Sequence, residues 1–414
     1  MQQTCVEKIL SHHCAHPVQA LEYCFPRVQG AMASDATAGQ MIKTFKEMGG
    51  GQVWDPAALV LVLDHAAPAS SQKVADLHSF IRRFAEEQSC HLYEVGAGIC
   101  HHLILEHGHV SPGSLFVGAD SHTCTYGAVG AFAIGVGSSD LAAVLKMGAI
   151  WLRVPESIRI DIKGALPEQT SSKDIMLKIL SQLGPDAGRY KCVEYGGPYF
   201  RGLSLAKKIP FTNMIAELGA KCGFVEQLPA EDVDHAPNNF LADPKARYVK
   251  KISLDVTELA PQVVRPHSPF QGAGVDELEK IPIQMAFIGA CTNTRIEDLR
   301  EAAVLLKGKK IHKKVRLLIS PASRQTFLEG VRDGTVEALT EAGAVFLPSG
   351  CGPCVGTHMG VPSSGENVIS AANRNFRGRM GNPHAAVYLA SPATVAASAL
   401  KGYIANPQNV VEFA

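Results

Sequence analysis

Short aliphatic runs alternate with longer segments of helical spacing along most of this chain, and that alternation is the first guide to its architecture. The unbroken run Leu59 to Leu63 reads as a buried strand, followed by a turn at Pro68 and an amphipathic helix to about Glu87. Leu115 to Ala119 repeats the strand pattern. After Trp151 the texture changes: Ile158-Arg159-Ile160-Asp161-Ile162 alternates strictly, and a helix is expected over Ser172 to Leu183. Further on, the pattern predicts strand Met285 to Gly289, helix Glu297 to Leu306 and strand Val315 to Ile319. A helix after Ser323, another over Thr335 to Ala342 and strand Val345 to Leu347 complete it. Such alternation predicts an α/β protein with parallel sheets. Pro261 to Gly274, rich in proline and glycine, reads as a linker. Three α/β domains are therefore expected: residues 1–155, 156–274 with the linker, and 275–414.

Polar residues just past a buried strand's carboxyl end lie where open α/β sheets bind ligands. Asp64-His65 follows the run at 59–63, His101-His102 follows a glycine turn from Gly96, and Asp120-Ser121-His122 follows the run at 115–119. One such histidine is usually structural; three deliveries in succession predict a site. Asp120-Ser121-His122 has the residue types of a hydrolase triad, but neighbours on an extended segment face opposite sides and cannot form the relay. The glycine-rich run Gly127 to Gly137 lacks the acidic residue and context of a dinucleotide fingerprint and predicts close strand–helix packing. Asn213 and Glu217 share one face of a helix expected near Phe211 to Ala220, and alone they read as a solvent-facing pair. His12-His13-Cys14-Ala15-His16, between a short helix (Val6 to Leu10) and Pro17, reads as a solvated turn rather than a metal site.

Composition narrows the function. The chain has 414 residues, 46% hydrophobic and 19% charged, enough for several cores. Its 39 basic and 39 acidic residues cancel, so no overall field recruits nucleic acid or an anionic membrane, and an anionic substrate must be held locally. Arg374 and Arg379, in the segment Ala372 to Met380, offer planar forks that would clamp a small acid, with surface arginines as the plain alternative. The apolar run Ala57 to Leu63 is too short to span a bilayer, and Met1 to Pro17 lacks the order of a signal peptide. Eleven cysteines without a regular framework fit a reducing compartment, and a cytoplasmic protein is expected.

Cys351-Gly352-Pro353-Cys354 is a tight loop whose two sulfurs converge, suiting a soft metal or an iron–sulfur cluster. Cys291 is the best third thiol, expected at a strand end before a helix starting at Thr292/Asn293, whose N-terminus would favour the thiolate. No second Cys-x-x-Cys exists, so a four-cysteine zinc site is poorly supported. A 4Fe-4S cluster with three protein ligands stands level with a redox dithiol and with incidental core thiols.

Asp64-His65, Gly98 to His101, Gly118 to Thr123, Asn213 to Glu217, Gly289 to Asn293, Cys351 to Cys354 and Asn373 to Arg379 occur in the order seen in the aconitase superfamily. In detail the chain resembles the large subunits of its 3-isopropylmalate dehydratase and homoaconitase branch, over nearly the whole length. The resemblance implies three α/β domains around a cluster cleft, without the swivel domain, and a 4Fe-4S cluster with one iron not ligated by protein. It implies Cys291, Cys351 and Cys354 as ligands. Asp64, His65, His101, Asp120 and His122 match residues that position and protonate the substrate hydroxyl, and the alignment selects His101 over His102. Glu217 matches a glutamate contacting the site, Asn213 and Asn373 asparagines beside the cluster, and Arg374 and Arg379 the substrate-carboxylate arginines. Ser34 and Ser121 match substrate-binding positions, although Ser34 stands where relatives carry a larger polar residue and Ala290 replaces a serine. The implied activity is a hydro-lyase that dehydrates and rehydrates a small hydroxy di- or tricarboxylic acid. 3-Isopropylmalate comes first; homoaconitate, methylmalate-type acids and dimethylmalate are alternatives. The implied partner is a small swivel-domain subunit carrying a serine base, without which the large subunit is inactive. A metal-stabilised binding scaffold without catalysis is the alternative from another class.

Overall fold

The computed structural model describes residues 2–227, 240–278 and 280–410. Its first sheet is parallel and five-stranded, in the order His91–Tyr93, Leu59–Val62, Gly30–Ser34, Leu115–Gly118, Phe132–Gly135. The run at 59–63 is unbroken because both faces of the sheet are covered. Leu59, Leu61 and Leu63 pack with Phe45, Ile81 and Phe84, while Val60 and Val62 pack with Cys100, Leu103 and Tyr126. From the Gly30–Ser34 strand the chain winds outward one way, then returns to its other side at Leu115–Gly118. The strand order reverses there, and the carboxyl ends at this switch point open a crevice.

The second sheet is parallel, in the order Cys222–Val225, Lys191–Gly196, Glu156–Lys163, Lys250–Asp255, and is covered by Ser172–Leu183, the helix the spacing predicts. The third has seven strands: Gly272–Gly274, Gln262–Val264, Ala386–Ala390, Asn367–Ser370, Met285–Ile288, Arg316–Ile319, Val345–Phe346. Its last five strands are parallel, and its switch point lies between Met285–Ile288 and Asn367–Ser370. The stretch Pro261 to Gly274 is thus not a bare linker. It folds back as an antiparallel hairpin on the edge of this sheet, where short strands tolerate proline and glycine.

Three other expectations need correction. The first helix runs Cys5–Cys14, so His12 and His13 lie in its last turn; His13 is buried, with Nε2 2.9 Å from the Gly113 carbonyl oxygen. The helix near 211–220 is two pieces, an α-helix Leu205–Asn213 and a 3-10 turn Met214–Leu218, and Asn213 and Glu217 are buried rather than solvent-facing. Asp120-Ser121-His122 is not extended: Asp120 caps a 3-10 helix, Ser121–Val129, by accepting from the His122 amide. Close packing in the glycine-rich run is what the structure has, since a Cβ on Gly127 would sit 1.6 Å from the Gly223 carbonyl oxygen. Among the described residues no helix is long and apolar enough to cross a membrane, and all eleven cysteines are free thiols.

Candidate active site

The switch points of the first and third sheets converge on one cavity of about 170 Å³. His65, His101, Asp120, His122, Cys291, Cys351, Cys354, Asn373, Arg374 and Arg379 line it, with Ala36, Ile99 and Val355 supplying an apolar wall. Residues from strand ends more than 300 positions apart in sequence meet there.

Asp64 organises one wall. Its Oδ2 accepts from the Cys100 amide at 2.7 Å, its Oδ1 lies 2.8 Å from His65 Nδ1, and its backbone oxygen accepts from the Cys351 amide at 2.8 Å. That last bond ties the first sheet to the cysteine loop, and Gly350 permits it: a Cβ there would lie 2.8 Å from the Asp64 oxygen. Asp35, which the sequence pattern did not single out, underlies the turn. It accepts from the amides of Asp64, His65 and Ala66 at 2.8–3.2 Å and contacts His78 Nε2 at 3.1 Å. An aspartate in the first turn of a helix that starts immediately after a strand was the signal available for it.

Asp120 is the hub of the charges. Its Oδ1 lies 2.9 Å from His101 Nε2 and 3.5 Å from His122 Nδ1, and its Oδ2 lies 3.7 Å from His65 Nε2. Burial pushes the carboxyl up, but the hydrogen bonds of His101, His122 and His65 outweigh it and hold Asp120 well below the usual carboxylate range. An ionised carboxylate only accepts, so the hydrogen between the two sits on His101 Nε2, and Nδ1 lies 3.2 Å from Tyr126 Oη. His102, by contrast, points away from the cavity, and burial drives its ring well below the ordinary histidine value. Of the two neighbouring histidines, His101 faces the cavity.

Burial opposes charge on His65, but the carboxylates of Asp64 and Asp120 outweigh it and raise the ring well above its ordinary 6.5. A raised folded-state value contributes stability that is complete below 6.5 and is lost as pH rises through the folded value. Urea unfolding of the metal-free chain should therefore show stability falling as pH is raised above 6.5, with Asp64→Asn flattening the slope; an unchanged slope in the variant would place the titration elsewhere.

The opposite wall holds the thiols. Cys291 Sγ accepts from Asn213 Nδ2 at 3.1 Å and from Asn373 Nδ2 at 3.3 Å, and the two asparagines are joined at 3.1 Å through Asn213 Oδ1, which also accepts from Thr292 Oγ1 at 2.7 Å. The helix expected at Thr292/Asn293 begins only at Ile296, beyond a turn gathered by Asp298, so its N-terminus does not favour a Cys291 thiolate. Burial, reinforced by the Cys354 charge, pushes Cys291 up to about 12, and the amide donors stand where the helix end was expected. Cys351 and Cys354 share a proton. The hydrogen bond from Cys351 and the Arg379 guanidinium, whose Nη2 lies 3.6 Å from Cys354 Sγ, place the negative charge on Cys354 against the opposing effect of burial.

Arg374 donates from Nε to Glu217 Oε1 at 2.6 Å, and His122 Nε2 lies 3.5 Å from the same oxygen. Burial raises Glu217, but His122 and Arg374 outweigh it and keep the carboxyl low. Two of the expected residues stay apart from this assembly. Ser34 is buried and its Oγ has no hydrogen-bond partner among the described residues, while Ser121 is exposed; neither lines the cavity.

Three thiols around one cavity, two of them receiving amide or guanidinium N–H groups, are a donor set suited to iron and sulfide. The family model for aconitase (aconitate hydratase) matches residues 7–402. The chain belongs to the aconitase family. Within that family, it is 45% identical over 415 residues to the 3-isopropylmalate dehydratase large subunit 1 of Methanopyrus kandleri, covering 99% of each chain. A second relative, named "Probable methanogen homoaconitase large subunit", from Methanosarcina mazei, is 45% identical over 392 residues, covering 92% of this chain and 99% of the other. Among solved structures, aconitase X of Thermococcus kodakaraensis in its holo form superposes with a TM-score of 0.50 at 12% identity, covering 85% of this chain and 84% of that one. That likeness speaks to the aconitase fold alone.

Proposed function

We propose that this chain is the large, cluster-bearing subunit of a hydro-lyase that removes and re-adds water on a small hydroxy di- or tricarboxylic acid, with 3-isopropylmalate the first candidate. One observation carries the reading: thiols, an Asp/His network and two arginines line a single cavity at two facing switch points. The relatives named as large subunits, matched over nearly their full length, support it. Homoaconitate stands beside 3-isopropylmalate because relatives of both names share the same identity.

Cys291, Cys351 and Cys354 would hold a 4Fe-4S cluster with one iron free of protein ligands, which supplies Lewis acidity that loosens the substrate hydroxyl. His101, donating to Asp120, is placed to hand a proton to the departing oxygen, and Asp64 and His65 hold the adjoining turn in register. Arg374 and Arg379 present cationic forks to the substrate carboxylates. Asn213 and Asn373 steady the Cys291 sulfur. The relatives named as large subunits support a partner small subunit, which would bring a serine base to the substrate carbon. The free thiols support a reducing, cytoplasmic setting.

The test is anaerobic reconstitution with iron and sulfide, addition of the small subunit, and a panel of 2- and 3-hydroxy di- and triacids. A brown protein whose activity depends on the partner is expected. A second reading has one observation in its favour: His101, His122 and Cys291 offer ligand atoms within 4.8 Å of one another, as a single ion would need. Colourless protein with one zinc per chain and no sulfide would favour that scaffold.

Arg379→Lys is expected to lower kcat/KM by roughly 10- to 100-fold, as loss of a charged paired hydrogen bond does, while iron content changes less. Equal kinetic constants in the variant would remove Arg379 from substrate binding.

A further inference from the structure

Lys173 lies in the first turn of the helix Ser172–Leu183 and is fully buried. Its Nζ donates to the carbonyl oxygens of Ala371 at 3.0 Å and Ala372 at 2.7 Å, the two residues leading into Asn373 and Arg374. Among the described residues it forms no ion pair with a carboxylate. Its neighbour Asp174 is engaged elsewhere: Oδ2 accepts from the Ser171 amide at 2.9 Å and Oδ1 from the Gln262 amide at 2.8 Å. The placement is unfavourable for an isolated cation, because burial removes its hydration and the first turn of a helix carries like-signed charge. Lys173 also borders a cavity of about 340 Å³ whose other charged residues are Glu168, Lys207, Arg295, Glu297, Asp298 and Glu301. Burial pulls the ammonium down to about 7, and the strongest influences restoring its charge are Cys291 and Cys354.

We infer that Lys173 is a positioning residue for the thiolate centre: it pins the Ala371–Ala372 turn that sets Asn373 against Cys291, and its ammonium brings positive charge to that side of the sulfurs. The inference rests on the cluster reading given under Proposed function. Positive charge there stabilises the more electron-rich state of whatever the thiolates bind, and it strengthens their hold on iron. Sequence alone hides this role, since a lysine in a helix's first turn reads as solvent-facing.

The test compares wild type, Lys173→Gln, Lys173→Met and Lys173→Arg after anaerobic reconstitution, reading the midpoint potential of the bound centre and the loss of iron to a chelator. Both neutral variants should move the potential negative and weaken iron retention roughly 10- to 100-fold, and Lys173→Arg should restore both towards wild type. A merely structural role would make all three variants lose iron alike with the potential unmoved, and that result would overturn the inference. Wild type holding a cluster while Lys173→Gln and Lys173→Met match it in both readouts would overturn it as well, leaving the cluster reading intact. Wild type holding no iron and sulfide would overturn the cluster reading and this inference together.

Discussion

Cys351→Ser should yield a folded protein whose iron and labile sulfide fall to background, and with them every trace of hydro-lyase activity. Cys351 is the best of the three thiols for this test because it is only partly buried, whereas Cys354 also anchors Arg379 and Cys291 is enclosed by two asparagines. Its structural bond to the rest of the site runs through the backbone amide to the Asp64 carbonyl, and serine keeps that bond. The replacement therefore removes a soft ligand and little else, and hydroxyl oxygen is a poor substitute for thiolate towards iron–sulfur centres. Iron and sulfide analysis beside a thermal melt separates the two effects. A variant that melts like wild type but retains its iron would strike Cys351 from the ligand set, and with it the central premise of the proposed chemistry.

What could be read from the chain divides along physical lines. The Leu59–Val62 and Met285–Ile288 strands were legible because a strand covered on both faces becomes an unbroken aliphatic run, and the polar residues after such runs fall at sheet ends by geometry. Asp64, Asp120 and Cys291 were therefore visible as candidates. Their partners were not. Asn213 and Glu217 have ordinary helical spacing, and only the bend from α-helix to 3-10 turn, packed against the third sheet's loops, buries them. The helix after Cys291 starts late because Asp298 gathers Asn293, Thr294 and Arg295 into a turn, a tertiary choice that propensity does not encode. The edge hairpin at 262–274 was hidden by its own composition, since proline and glycine punctuate linkers and edge strands alike. The apolar wall of Ala36, Ile99 and Val355 was hidden too, because residues of three separate segments meet only in the folded cavity.

The Asp120 hub gives the sharpest catalytic test. His101→Gln places an amide N–H near the position of the imidazole Nε2, so a hydrogen bond to Asp120 can persist while the proton-carrying ring is gone. If His101 delivers the proton to the departing hydroxyl, kcat should fall by roughly 10²- to 10⁴-fold, the usual worth of a positioned general acid, with KM and iron content nearly unchanged. Tyr126→Phe provides the control, because it removes only the hydroxyl hydrogen-bonded to Nδ1 and leaves the ring in place. Its effect should be several-fold at most rather than a collapse of rate, since the imidazole that carries the proton stays in place. A loss of less than about tenfold in His101→Gln would exclude the ring as the acid. Proton delivery would then pass to His65 or His122, the other two rings that Asp120 holds around the same carboxylate.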